Sequence, residues 1–284
     1  MRGTDDWRTR LSRWLNRQGK DGAEPTSRRP GGPFPRSDQP VGLEQYFRSA
    51  RGLRAERCSE RGAGAWRLSW LADQLPVPEG LAGSLRRSIA RFGPEIALRQ
   101  AHPDFGPLGS VGPEELLFFD TETLGLGNAG VFLVGCLRLV GGELELRQHL
   151  AEDYSAEPSV LRAFAAAAER TACLVSFNGK AFDLPLLRCR AGVWRIELPA
   201  DPAHLDLLYE ARRRWADRLP NCRLQTLEEE LSGRRRVGDV PGRRIPSVYH
   251  DFVESGDARR LAPILEHNML DLLAMARLLE EFLG

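Results

Sequence analysis

The sequence predicts one α/β domain with a mixed β-sheet, and three observations support this fold class. Strand-length apolar runs bounded by glycine or polar turns occur at residues 116–119, 131–140, 143–150 and 173–177. Gly141 and Gly142 separate the second run from the third, which favours a hairpin. Helical apolar spacing occurs at residues 81–92, 158–170, 183–190, 224–231 and 263–283. Three successive strands followed by alternating helices and strands are typical of a mixed sheet flanked by helices.

By composition, the 284 residues divide into three predicted parts, at 1–42, 43–112 and 113–284. Residues 18–42 are rich in Pro, Gly and Arg, so they bury too little apolar surface to offset chain entropy and predict a flexible linker. Ahead of the linker, Trp7, Leu11, Trp14 and Leu15 follow helical spacing with arginines between them. This short basic helix is interpreted either as a docking element for a protein partner or a membrane surface, or as a solvated tail. Residues 43–112 are a small N-terminal preamble to the main domain.

The bulk composition excludes several classes of protein. With 40 basic and 39 acidic residues the formal net charge is +1, although the first 65 residues carry 14 basic and 8 acidic side chains. No apolar run approaches the roughly 20 residues of a membrane helix, and no secretory signal pattern opens the chain. The five cysteines form no C-x-x-C pair. We therefore expect a cytoplasmic protein with reduced thiols, and neither a membrane span nor a zinc finger.

Two acids follow the first apolar run, which continues as DTET. Asp120 and Glu122 are two residues apart, so in a strand they point to the same side of the sheet. Two adjacent carboxylates after four apolar residues are costly unless a cation lies between them. A solvent-facing strand end explains an isolated D-x-E pair, whereas a site for a divalent metal explains why the pair follows a buried strand.

Two later segments add acids to this pair. Asp183 follows the apolar strand at 173–177 and begins a helix, where it either interacts with the helix dipole or serves a site. His267 and Asp271 lie four apart on one face of the last predicted helix. Apolar residues surround Asp271, so an unpaired carboxylate there would be costly. The three segments together favour a metal site.

The motifs in these segments resemble those of the ribonuclease-H-like (DEDD, DnaQ-like) 3′–5′ exonuclease superfamily, and especially its YprB-like branch. The resemblance covers roughly residues 114–284 and includes DTET at 120–123, FNGKAFDLPLL at 177–187 and HNMLD at 267–271, with VFLVG and IPSVYHDFVESGDARRL between them in order. Leu124 stands where the superfamily often has a threonine. His267 stands where many relatives have tyrosine, and it is similar to the YprB-like pattern.

The resemblance implies a ribonuclease-H-like fold and a 3′–5′ exonuclease that hydrolyses single-stranded nucleic acid with two divalent ions, Mg²⁺ or Mn²⁺. The metal ligands it implies are Asp120, Glu122, Asp183 and Asp271. Two metals can stabilise the charge that builds on both the attacking and the leaving oxygens. His267, one turn before Asp271, is placed to orient or deprotonate the attacking water.

Supporting residues are assigned to the substrate. They are Thr121 of the first motif, Leu124 and Gly125 for close approach of a terminal nucleotide, Asn178, and Lys180 for a phosphate. Asn178 could equally fix its turn, and Lys180 could be solvated. Phe182 is expected in the core, and Asp206 is either a ligand or a structural acid. Arginine clusters at residues 212–214, 234–236 and 243–244 either line a path for the strand or are solvated.

Two alternatives to an exonuclease stay open. One is a structure-specific endonuclease on the same fold, which a circular substrate would separate from an exonuclease. The other is a non-catalytic nucleic-acid-binding or scaffold protein that uses the N-terminal helix and linker. Four clustered carboxylates argue against the scaffold, because a scaffold has no need of them. The sequence does not distinguish DNA from RNA.

Overall fold

The computed structural model describes residues 34, 39–60, 63–75, 80–90, 103–125, 127–200, 202–233, 235–236 and 238–283. The predicted basic helix around Trp7–Leu15, and residues 18–33 and 35–38 of the predicted linker, lie outside these residues.

A seven-stranded sheet in the order β1-β2-β5-β4-β3-β6-β7 forms the centre of the described structure. The strands are β1 (Arg54–Glu60), β2 (Ala63–Leu71), β3 (Leu116–Thr123), β4 (Val131–Val140), β5 (Glu143–Ala151), β6 (Cys173–Ser176) and β7 (Ala203–Asp206). The pairs β1–β2, β2–β5, β5–β4 and β4–β3 are antiparallel, whereas β6 pairs parallel with β3 and with β7. The predicted mixed sheet is therefore confirmed.

The predicted β4–β5 hairpin is also confirmed. Val140 pairs with Glu143, which leaves a two-residue loop made of Gly141 and Gly142. Both glycines have positive φ angles, +58° and +78°. A two-residue loop with two positive φ angles matches the right-handed twist of the strands, and glycine adopts it without steric cost.

Helices cover both faces of the sheet. They are α1 (Leu43–Ser49), α2 (Leu81–Ala90), α3 (Glu157–Ala168), α4 (Asp183–Trp194), α5 (Leu207–Trp215), α6 (Leu224–Ser232), α7 (Ile245–Ser255) and α8 (Ala262–Leu283). Phe119 of β3 packs against Phe164 of α3, with ring centroids 5.4 Å apart, so α3 covers one face. On the opposite face, Asn268 of α8 contacts Asp120.

Residues 43–112 contribute more to the sheet than the sequence predicted. β1 and β2 extend the sheet beyond β5, and neither strand was predicted. In β1, charged residues interrupt any apolar run. Helices α1, α5 and α7 were likewise not predicted as helices. The division of the chain at residue 112 stays a prediction.

Candidate active site

The carboxyl end of β3 carries the first two acids, and they differ in their surroundings. Asp120 pairs with Gly135 and Glu122 with Leu133 across the β3–β4 ladder, so both side chains project from the same face of the sheet. Asn268 Nδ2 donates a hydrogen bond to Asp120 Oδ2 at 2.8 Å. Glu122 is only 8% exposed, and its Oε1 is buried with no hydrogen-bond partner among the described residues.

A buried amide network fixes α8 against this end of the sheet. Gln148 of β5 donates from Nε2 to Asn268 Oδ1 at 2.9 Å and to the Leu265 carbonyl at 2.8 Å. The helix can approach this closely because β4 has no side chain at Gly135, where an added Cβ would lie 2.1 Å from Asn268 Oδ1. Asn268 therefore arrives at Asp120 already oriented.

Asp183 reaches the site through the turn that follows β6. Asn178 in this turn has a positive φ of +68°. Asp206, at the end of β7, accepts the backbone N–H groups of Asn178 at 2.7 Å and of Lys180 at 3.0 Å. Asp183 then begins α4, and the Thr121 hydroxyl donates to its Oδ1. Of the two roles that the sequence left open for Asp206, a ligand or a structural acid, these contacts support the structural one, because Asp206 holds the turn.

Asp271 and His267 lie one turn apart on α8, as their spacing predicts. His267 Nε2 is 3.5 Å from Asp271 Oδ2. Two residues of the loop between α6 and α7 contact this pair. Arg236 Nη1 lies 2.6 Å from Asp271 Oδ1, and Asp239 Oδ1 lies 2.8 Å from His267 Nδ1.

Burial raises the pKa of three of the four acids, and the charges of other acids among the four add to the shift of two of them. Burial, followed by the charges of Asp271 and Asp183, raises the pKa of Asp120 well above its ordinary value. Burial and the charges of Asp120, Asp271 and Asp183 do the same to Glu122. Burial also raises the pKa of Asp183, although the Thr121 hydrogen bond opposes it. Carboxylates perturb one another in this way when they share a small, poorly solvated volume.

The pKa of His267 moves in the opposite direction from what burial alone would give. Burial lowers it, but the hydrogen bond to Asp239 and the charges of Asp271 and Asp239 raise it overall. The pKa of Asp239 is lowered: burial raises it, and the His267 hydrogen bond together with the charges of His267 and Arg236 outweighs burial. The carboxylate of Asp239 is therefore stabilised in its ionised form beside the imidazole of His267.

The donor set fits a hard divalent cation, which prefers oxygen ligands. Glu122 Oε1 is a buried acceptor with no partner among the described residues, and burial together with the charges of the neighbouring acids raises the pKa of Glu122. The arrangement is not a closed cage, because no group of three or more His, Cys, Asp or Glu side chains has a metal-holding geometry within the described part of the chain. Arg236 instead contacts Asp271, so a cation would displace it or share the site with it.

The residues assigned to the substrate surround these acids in sequence but differ in their contacts. The Thr121 hydroxyl is engaged by Asp183. Leu124 is half-buried and its N–H donates to the Gly130 carbonyl, which closes the loop after β3, and Gly125 has a φ of +152° in the same loop. Asn178 shapes the β6–α4 turn, and Lys180 is exposed. Their roles toward a substrate stay predictions.

Phe182 was expected in the core, and this prediction is wrong. Its side chain is 61% exposed, immediately before Asp183. The turn held by Asp206 points the chain outward at this position, whereas Leu187 on the next turn of α4 is buried. Nearby, the Lys180 ammonium lies 5.9 Å from the ring centroid of Tyr209, which is 39% exposed.

The three arginine clusters have different environments. Arg214 lies over the Phe282 ring and donates to the Phe282 carbonyl, so it holds the end of α8. Arg243 and Arg244 are exposed. Arg236 is buried at the site, and Arg234 lies outside the described residues. The sequence offered the same two alternatives for all three clusters, whereas the structure gives the clusters different surroundings.

The comparisons with known proteins address the fold. A family model described as the RNase_H superfamily matches residues 117–283, which is more than half of the chain. The chain belongs to the RNase_H superfamily. The predicted ribonuclease-H-like fold is therefore confirmed.

Two known proteins are similar to parts of the chain. The chain is 37% identical over 168 residues to YprB of Bacillus subtilis (strain 168), which confirms the predicted similarity to YprB; the match covers 57% of this chain and 40% of YprB. The family B DNA polymerase from the hyperthermophilic archaeon Pyrobaculum calidifontis is 16% identical, with a TM-score of 0.48 over 58% of this chain and 24% of that chain. Among the described residues, no helix has the length and apolarity required to cross a bilayer.

Sequence reasoning missed four residues of the site. Asn268 stood inside a quoted motif without a role, and Arg236 was named only within an arginine cluster that either lines a path for the strand or is solvated. Gln148 and Asp239 were not singled out. Only Asn268 carried a signal, because an amide between His267 and Asp271 on a largely buried helix needs partners. The other three lie far from their partners in sequence.

Proposed function

We propose that the chain is a metal-dependent nuclease that removes nucleotides from the 3′ end of a single-stranded nucleic acid. In this proposal Asp120, Glu122, Asp183 and Asp271 hold two divalent ions, Mg²⁺ or Mn²⁺. The single observation that carries the proposal is the pair of acids at the carboxyl end of β3, where Glu122 Oε1 is buried without a hydrogen-bond partner among the described residues, and where burial and neighbouring acidic charges raise the pKa of both Asp120 and Glu122. A fold gains nothing from such repulsion, so the arrangement indicates a cationic ligand.

The bound ions would supply charge neutralisation for the phosphodiester and lower the pKa of the attacking water. The chain's own residues perform the other tasks. Asn268 and Thr121 orient the carboxylates of Asp120 and Asp183 through hydrogen bonds. His267 Nε2 faces the same volume and accepts a proton from the attacking water. A P–O bond forms to the water oxygen, and the bond to the 3′ oxygen of the preceding nucleotide breaks. This oxygen takes up a proton from solvent and becomes the new 3′-hydroxyl of the shortened strand, and a nucleoside 5′-monophosphate leaves.

Exposed groups beside the acids support a single-stranded polyanion as substrate. Phe182 and Tyr209 present exposed rings, and Lys180 adds a cation between the β6–α4 turn and α5. Unpaired bases stack on aromatic side chains, and the ammonium can contact a phosphate. We therefore expect activity to fall with rising salt concentration.

The first test is the double variant Asp120→Asn with Asp183→Asn, assayed on 5′-end-labelled linear DNA and RNA with Mn²⁺. Loss of cleavage together with loss of Mn²⁺ binding by calorimetry supports the proposal. The control is Asp251→Asn, which makes the same chemical change outside the site. Asp251 lies on α7, and its side chain is 53% exposed. Cleavage that survives in the double variant contradicts the proposal.

A circular single strand tests the direction of attack. An exonuclease cannot begin on a substrate without an end, so the circle should stay intact while a linear strand shortens one nucleotide at a time. Cleavage of the circle would instead favour an endonuclease on the same fold. If the wild-type protein binds nucleic acid but does not bind Mn²⁺, this result would favour the alternative of a non-catalytic scaffold protein.

A further inference from the structure

The loop between α6 and α7 delivers an acid to the histidine of the candidate site. Asp239 Oδ1 lies 2.8 Å from His267 Nδ1, and both side chains are only 10% exposed. The other ring nitrogen, Nε2, is 3.5 Å from Asp271 Oδ2. The two nitrogens of His267 therefore face two different acids, one on the loop and one on α8.

Donors orient Asp239 independently of the histidine. Gln225 Nε2 donates to Asp239 Oδ2 at 2.8 Å, and Arg236 Nη1 donates to the same oxygen at 3.1 Å. Arg236 is in turn held by Glu228, whose Oε2 accepts from its Nε at 2.6 Å. One oxygen of Asp239 is thus committed to two donors and the other is left for the imidazole.

We propose that Asp239 is a positioning residue for His267, which keeps the ring proton on Nδ1 and turns the lone pair of Nε2 toward the acids. An ionised carboxylate only accepts hydrogen bonds, so Nδ1, at 2.8 Å from Asp239 Oδ1, carries the proton, whereas Nε2 lies 3.5 Å from Asp271 Oδ2, which is too far for a good hydrogen bond. In the neutral ring Nε2 is then the atom that can accept a proton. The inference rests on the proposed function for its role in activity, but the geometry of the ring can be tested without activity.

Asp239→Asn is the decisive variant because it changes few atoms. Gln225 and Arg236 both donate to one oxygen position, so the amide oxygen should face them and the amide NH₂ should face His267 Nδ1. The ring proton then moves to Nε2, which can no longer accept a proton. We expect kcat to fall by about 10²–10⁴-fold, the range of a general base, while KM changes less than about threefold.

The independent readout is the ¹⁵N NMR spectrum of the His267 ring in the metal-free protein, at a pH where the ring is neutral. His267→Gln assigns the signals. The wild type should show the Nδ1–H tautomer and Asp239→Asn the Nε2–H tautomer. A variant that keeps the Nδ1–H signature overturns the proposal. If Asp239→Asn does not fold, Asp239→Ala serves instead, and its spectrum should show a mixture of tautomers.

Asp257→Asn is the matched control. Its side chain is 9% exposed and is paired with Arg259, but it caps a turn before α8 outside the site. This variant should keep both the wild-type tautomer and the wild-type kcat.

A double variant separates positioning from general damage. On a His267→Gln background, Asp239→Asn should cause no further loss of kcat, because its effect passes through the histidine. An equal loss on both backgrounds overturns the proposal. If the wild type shows no nuclease activity, the proposed function fails, and the tautomer of His267 in the two proteins still decides the role of Asp239.

Discussion

Glu122 and Glu157 are both buried glutamates, with 8% and 4% exposure, yet their surroundings are opposite. Glu157, at the start of α3, accepts hydrogen bonds from the Val131 N–H, the Arg190 guanidinium and the Trp194 indole. Glu122 has a buried oxygen without a partner among the described residues, and the charges that act on it are negative.

The pKa shifts follow from these surroundings. Burial raises the pKa of Glu157, but its hydrogen bonds and the Arg190 charge lower it overall. Burial and like charges raise the pKa of Glu122. Glu157 therefore stabilises the junction of β4, α3 and α4, whereas Glu122 costs stability that a bound cation would recover. The contrast shows how differently two buried glutamates behave when one is surrounded by hydrogen-bond donors and the other by acids.

The largest expected effect is on activity. Glu122→Gln removes a proposed metal ligand and should lower kcat/KM by about 10³-fold, since metals contribute several kcal/mol to the transition state. Glu157→Gln should keep most of the activity at a temperature where the variant is folded. Mn²⁺-dependent release of mononucleotides measures both variants. A larger loss of activity in Glu157→Gln than in Glu122→Gln would contradict this prediction.

The next effect is on stability. Glu157→Gln leaves the Arg190 guanidinium without its charged partner, and Arg190 is only 17% exposed. We expect the free energy of unfolding to fall by about 3 kcal/mol, the lower end for a broken buried ion pair. Urea unfolding followed by circular dichroism measures it. A loss under about 0.5 kcal/mol would mean that the pair is solvated.

The pH dependence of stability should have opposite signs at the two glutamates. The folded-state pKa of Glu122 is raised above the ordinary 4.5, so its contribution is present below pH 4.5 and is lost as the pH rises through the folded pKa. The folded-state pKa of Glu157 is lowered, so its contribution is present above pH 4.5 and is lost as the pH falls.

Unfolding of the wild type, Glu122→Gln and Glu157→Gln in chelator between pH 4 and 9 tests these signs. As the pH rises, the wild type should become less stable relative to Glu122→Gln. As the pH falls below 4.5, the wild type should begin to lose its advantage over Glu157→Gln. Parallel profiles for all three proteins would refute the assignment of opposite shifts.

The smallest expected effect is a gain. Without metal, Glu122→Gln removes a buried charge from a cluster of like charges and should raise the free energy of unfolding by an amount on the order of 1 kcal/mol. Added Mg²⁺ should stabilise the wild type more than the variant. Thermal melts with chelator and with Mg²⁺ measure this difference. An identical Mg²⁺ response would remove Glu122 from the proposed ligands.

Much of the fold could be predicted from local patterns. The bounds of β4 at Val131–Val140 and the glycine hairpin were correct, because a continuous apolar run and turn chemistry are both set by a few neighbouring residues. β1 was missed because a charged edge strand depends on its partner strand and shows no local pattern. Phe182 was misassigned because exposure at a turn depends on how Asp206 holds the backbone.

By itself, the sequence determined which residues could form an acidic site. Asp120 with Glu122, Asp183, and His267 with Asp271 each break an apolar pattern, and a costly residue in such a place is visible without a structure. It could not determine what holds them. Gln148 lies 120 residues from Asn268, and Asp239 lies 28 residues from His267. Only the tertiary structure brings these partners together, because a hydrogen bond is decided by a few ångströms in space and leaves no spacing along the chain.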